Sequence, residues 1–139
     1  MTTELTVPAP VLLLAEASAP KHQHAELLMR AGLHVVRLPP HEINSRLLEK
    51  LQPAVIAAEL DDQRRRDVLD LAARLRESTG PRSERVPVIV YGHGLSSEDI
   101  EAAARGGAMW LQLEPSDGQK LVSAIRGVLT AAGIVIKST

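Results

Sequence analysis

Three carboxylates and one imidazole stand where apolar runs stop. They are Glu16 after VLLLA (11–15), Glu59 near the end of PAVIAAEL (53–60), His93 after PVIVYG (87–92) and Glu114 after AMWLQL (108–113). A charge at the end of a buried run is either a cap for the next helix or a working group in a crevice. Glu16, Glu59 and His93 have the right donor types for a divalent cation. Glu16, Glu59 and Glu114, if they converge, repel one another unless a cation or a basic side chain such as Lys21 enters.

Other chemistry is hard to place. With no cysteine there are no disulfides and no thiolate sites, and a reducing cytoplasm is the expected compartment. The chain has no G-x-G-x-x-G and no Ser-His-Asp or Cys-His nucleophile arrangement. EASAPKHQH, after the first run, lacks a Ser/Thr/Gly-rich phosphate loop, and there are few aromatics to stack on a flavin. His22 and His24 are two apart on a helical segment and point in different directions. His34 and His41 flank the second apolar run, so these four are expected at the surface. Neither an enzyme nor a bound cofactor is expected.

The elements that must position these groups alternate along the chain. Five apolar runs, VLLLA (11–15), HVVRL (34–38), AVIAA (54–58), PVIVY (87–91) and AMWLQL (108–113), are separated by helix-period segments. The runs are rich in Val, Ile and Leu with little polar alternation, the pattern of parallel strands covered on both faces by helices. Segment 20–31 has Pro20 in its first turn and Gly32 past its end. Segment 41–51 puts Ile43, Leu47 and Leu51 on one stripe, and segment 61–78 does so with Val68, Leu71, Ala72 and Leu75. Segment 97–105 follows Ser96, which pairs with Asp99 in a capping pattern, and the last helix starts at SDGQ, where Ser116 and Gln119 match another. Its apolar stripe is Leu121, Ile125, Val128 and Leu129, and an apolar tail, GIVIKST (133–139), follows.

Repeated strand–helix units imply right-handed crossovers and a doubly wound sheet, whose ligands sit beyond the carboxyl ends of the strands. At 139 residues with 45% hydrophobic content, one domain with a real core is expected, its body spanning about residues 10–132. The net charge is −1, with acids and bases interspersed. The one dense basic run, Arg64–Arg66, is flanked by Asp61, Asp62 and Asp67 and reads as a self-paired solvated face. No nucleic-acid partner is expected from that balance. No apolar run approaches the length of a membrane span, so no membrane partner is expected either.

In order, spacing and length the chain resembles the receiver domains of bacterial two-component response regulators. The resemblance rests on PAVIAAEL, VPVIVYGHG and AAARGGAMWLQLEPSDGQKLVSAIRGVL. It implies a flavodoxin-like α/β fold, a doubly wound five-stranded parallel sheet of order 2-1-3-4-5. In that family two acids after strand one hold Mg²⁺, an Asp ending strand three accepts phosphate, and a Ser/Thr ends strand four. A Lys precedes the Pro after strand five, and an aromatic on strand five follows the switch.

Residue by residue, this chain departs from that pattern. The acid pair is Ala15 and Glu16, the acceptor position is Glu59, the Ser/Thr position is Gly92, the Lys position is Glu114 and the aromatic position is Leu111. Mg²⁺ demands near-octahedral oxygens at about 2.1 Å, so losing one carboxylate and lengthening another degrades the site. Glu114 adds a negative charge where the motif needs a positive one to neutralise a transferred phosphoryl group. Phosphoryl transfer to Glu59 is therefore not expected. Two readings of Glu59 remain: a permanent imitation of the phosphorylated state, or a solvated carboxylate near Asp61 and Asp62. The missing hydroxyl and aromatic favour the second.

The expectation is a phosphorylation-independent pseudo-receiver in bacterial signal transduction, cytoplasmic and non-enzymatic, acting by contact with an unidentified protein partner. A homodimer through the helix 4–strand 5–helix 5 face is one form of that contact, with Trp110, the only Trp, as its candidate anchor; the other reading of Trp110 is a lone large residue that fills the core. The alternative is a small-ligand or divalent-cation sensor using the acidic crevice.

Overall fold

Each apolar run becomes a strand, and each helix-period segment returns the chain to the start of the next. The computed structural model describes residues 10–15, 22–60, 65–78, 86–92, 95–113 and 118–131. The strands are β1 (Val11–Leu14), β2 (Val35–Leu38), β3 (Val55–Glu59), β4 (Val88–Gly92) and β5 (Met109–Gln112). The helices are α1 (His22–Arg30), α2 (Ser45–Leu51), α3 (Arg65–Ser78), α4 (Ser97–Arg105) and α5 (Gly118–Ala131). All pairings are parallel and the order is β2-β1-β3-β4-β5. Short four- and five-residue strands suffice because the three central ones are buried on both faces.

Strand alternation divides the core in two. Leu12, Leu14, Ile56, Ala58, Val88 and Val90 meet Leu48 of α2, Val68, Ala72 and Leu75 of α3 and Ala103 of α4. Val11, Leu13, Val55, Ala57, Ile89 and Tyr91 meet Leu28 of α1 and Leu121, Ile125 and Leu129 of α5. Each fully buried Leu, Ile or Val contributes about 1.5–3 kcal/mol of transfer free energy, so this two-sided core is what holds the strand ends in line. Arg126 of α5 donates to the Ala31 carbonyl at 2.8 Å, placing a cation at the negative end of α1.

Local signals set the boundaries. Ser96 and Asp99 form the reciprocal capping box expected of them. Gly32, at φ 91°, supplies the left-handed turn after α1. Segment 41–51 differs from the single helix read in the sequence. Pro39 and Pro40 start a separate 3-10 turn (Pro40–Glu42), and Ile43 is extended at φ −81°, ψ 140°. Asn44 then caps α2 by accepting from the Leu47 N–H at 2.9 Å, the stronger start signal for Ser, Thr, Asp and Asn. Ile43 is buried all the same, from an extended position. The acidic flank Asp61–Asp62 with Arg64, the Ser116 cap and the tail 133–139 lie outside the described residues.

Candidate functional site

The strand ends form one ledge. Tyr91 is the register partner of Glu59, and Gly92 that of Gln112. The ladder runs one residue past the strands, with Leu60 donating to the Tyr91 carbonyl and Leu113 to the Gly92 carbonyl, both at 2.8 Å. On the β1 side, Ala15 donates to the Leu38 carbonyl at 3.0 Å and is buried. Ala15, Glu59 and Gly92 therefore sit at neighbouring strand ends. Glu16, His93, Glu114 and Lys21 lie outside the described residues, and with them the convergence of carboxylates on Glu59.

Glu59 is not the solvated carboxylate the sequence suggested. It is only 9% exposed. Its position in β3 has the parity of Val55 and Ala57, so it shares the α1/α5 side of the sheet with Tyr91. Tyr91 is 1% exposed, and its hydroxyl makes no hydrogen bond. Burial, and secondarily the nearby Glu59 charge, push the phenol well above its ordinary pKa. His24 of α1 meets the Tyr91 ring edge-on, with centroids 5.7 Å apart and planes at 73°. His24 was expected at the surface; it is buried, because α1 turns this side of the helix onto the sheet beside Leu28. Glu59, Tyr91 and His24 thus make a buried polar line reaching from β3 across β4 to α1.

On the opposite side of the ledge the chain after β4 is pinned. The Gln112 amide donates to the Leu95 carbonyl at 3.0 Å and accepts from the Leu95 N–H at 3.1 Å. Leu95 is buried, and the capping box of α4 starts at the next residue. A Cβ on Gly92 would stand 3.3 Å from the Leu60 Cβ and carbonyl oxygen and 3.4 Å from the Leu95 Cδ2. A Cβ at Gly92 would therefore press on Leu60, which would have to give by a few tenths of an ångström, and would make ordinary contact with Leu95. Sequence reading passed over Gln112. Its signal was present: it is the one polar residue in AMWLQL, and alternation puts it with Ala108 and Trp110 on the α4 side of the sheet.

The β5 residues split by the same alternation. Leu111 is half-buried against the α1/α5 core, while Trp110, on the α4 side, is 47% exposed. Met109, on the α5 side, is 45% exposed. Among the described residues, no helix is long and apolar enough to cross a membrane.

No protein-family model and no curated protein matches the chain. Solved structures do. An orphan response regulator of H. pylori superposes with a TM-score of 0.66 at 19% identity, covering 87% of this chain and 97% of that one. An atypical orphan response regulator described as having a phosphorylation-independent regulatory mechanism gives 0.66 at 20% identity, covering 87% and 95%. The chemotaxis protein CheY4 of Vibrio cholerae gives 0.68 at 17% identity, covering 88% and 100%. The chain has the fold of the response regulator receiver domains, flavodoxin-like, with the 2-1-3-4-5 sheet expected from its sequence.

Proposed function

We propose that this protein is a phosphorylation-independent pseudo-receiver that signals through protein contact and has no catalytic activity of its own. The observation that carries this reading is the state of the β3–β4 ledge. Glu59 is buried at the acceptor position, and the hydroxyl position is Gly92, which has no hydroxyl and where even a Cβ would press on Leu60. A receiver that reports phosphorylation needs an acceptor exposed to its donor and a hydroxyl that can move toward the new charge. Neither requirement is met at these two positions. The Gln112–Leu95 hydrogen bonds and the Ser96–Asp99 capping box support the same reading, since they tie the entry of α4 to β5 without any group from the crevice.

The output surface in this reading is the α4–β5–α5 face, anchored by Trp110. A half-exposed indole on an edge strand offers a large rigid contact area at low entropic cost. The partner is a second copy of the chain or another cytoplasmic signalling protein. The test is capture from the native host with wild-type protein and with Trp110→Ala, each with and without acetyl phosphate. The expected result is one partner, retained equally in both wild-type conditions and lost with the variant. Capture that depends on acetyl phosphate would contradict the proposal.

A further inference from the structure

Two ties between α4 and β5 frame Trp110. At the start of β5 the Ala108 N–H donates to the Ala103 carbonyl at 2.9 Å, and Gly107, at φ 81°, makes the tight turn that joins α4 to the strand. At the end of β5 the Gln112 amide holds both backbone groups of Leu95, which precedes the Ser96 cap of α4. Ala108, Trp110 and Gln112 alternate onto one side of β5, so Trp110 stands between the ties, about 7 Å along the strand from each. The first tie is backed by the covalent turn Gly106-Gly107. The second is a single side chain joining residues seventeen apart. Apolar burial does little to hold α4 in its place. Ala103 is its only fully buried residue, with one methyl to offer, and Ile100 adds a partly buried side chain. By contrast α3 buries Val68, Ala72 and Leu75, and α5 buries Leu121, Val122, Ile125 and Leu129. A nine-residue helix is marginal on its own in water, and elements with few buried apolar contacts open locally before the body unfolds.

We infer that Gln112 is the positioning residue of the Trp110 surface: its amide latches the first turn of α4 to β5, so that Trp110 and α4 meet a partner as one rigid platform. The inference rests on the reading of Trp110 as a contact anchor and assigns the residue that sets that anchor's surroundings. Gln112 is half-buried, whereas Trp110, Ser97, Glu101 and Ala104 are exposed, so the partner touches the indole and α4 while the amide works behind them. With the latch closed, the ordering of α4 precedes binding instead of being charged against it. With the latch open, α4 pivots on Gly106-Gly107 and the indole loses its fixed neighbour. Linkage makes the effect reciprocal: a partner that prefers the latched platform closes the latch by the same factor by which the latch tightens binding. An amide carries no charge, so the latch itself answers to the partner and not to pH or a phosphodonor.

The indole N–H resonance of Trp110, the only Trp, reports the platform in the full-length chain without any partner present. Gln112→Leu should shift that resonance in the folded protein. It should also speed exchange of the Asp99 and Ile100 amides by at least about tenfold more than that of the Ile56 amide, which tracks global stability. Gln112→Glu supplies a signature that a merely structural role would not produce. A neutral carboxyl carries a donor beside an acceptor and restores both bonds to Leu95, whereas an ionised one only accepts. Measured against the wild type at each pH, this variant should match it when the new carboxyl is protonated and match Gln112→Leu when it is ionised. An indole resonance identical in the wild type and Gln112→Leu would overturn the inference, as would a Gln112→Glu difference that does not change with pH. Partner capture separates the two readings. Capture lost with Trp110→Ala but kept with Gln112→Leu overturns the latch alone, while capture indifferent to Trp110→Ala contradicts the anchor itself.

Discussion

Gln112 and Leu95, seventeen residues apart in the chain, are joined by two hydrogen bonds through a single side-chain amide, at 3.0 and 3.1 Å. One residue of β5 thereby satisfies both backbone groups of the residue that ends the β4–α4 connection. An amide is suited to this because it carries a donor and an acceptor side by side. Gln112→Leu keeps the size but removes both partners from a partly buried peptide. It should destabilise the domain by about 1–3 kcal/mol in denaturant titrations. The Leu95 and Asp99 amides should exchange faster than in the wild type, and a variant with wild-type exchange at both would remove the pinned-loop account.

Gly92→Thr restores the hydroxyl of the resembled family and should fail to restore a switch. Its Cβ must displace Leu60 by a few tenths of an ångström. The expected loss is about 1–3 kcal/mol, as for overpacked cores, with Gly92→Ala at the lower end. Thermal melts of the pair check both the sign and the order.

Tyr91 is the chain's only tyrosine, so its titration can be followed alone by ultraviolet absorbance. Burial first, and Glu59 second, raise its folded pKa. The sign follows: the neutral phenol's contribution is complete below the unfolded value of about 10 and is lost as pH rises toward the folded value. Tyr91→Phe should remove that alkaline loss. At neutral pH it should be neutral or stabilising by up to about 1 kcal/mol, since it deletes a buried hydroxyl without a partner. Glu59→Gln should move the tyrosinate titration to lower pH, and an unmoved titration would separate the two residues.

Trp110→Ala should cost about 1 kcal/mol or less of stability, below the roughly 3–5 kcal/mol typical of a buried Trp, because nearly half of this side chain is already in water. The same substitution should abolish partner capture or self-association. Analytical ultracentrifugation and urea melts of the variant give both numbers, and a large stability loss with association unchanged would return Trp110 to a packing role.

The fold was legible because apolar runs, caps and glycine stops agreed with one another. VLLLA, AVIAA and PVIVY could be little else than covered parallel strands, and Ser96 with Asp99 announced α4 to the residue. α2 was misjudged where two signals overlapped: the Ile43–Leu47–Leu51 spacing suggested a helix, but Pro39–Pro40 and Asn44 moved its start. The site was less legible, because burial of a polar side chain depends on which face of an element it occupies. Glu59, His24 and Gln112 are ordinary surface residue types in a sequence. Only the parity of β3, the rotation of α1 and the α4-side position on β5 turn them toward the interior.

The central claim is that the ledge at Glu59 does not take up phosphate, and intact-mass spectrometry tests it most directly. The protein is incubated with acetyl phosphate and Mg²⁺, and its mass is compared with that of an untreated sample. The account predicts an unchanged mass at every time point. The gain of one phosphoryl group, mapped by peptide fragmentation to Glu59 or a neighbouring strand end, would contradict it.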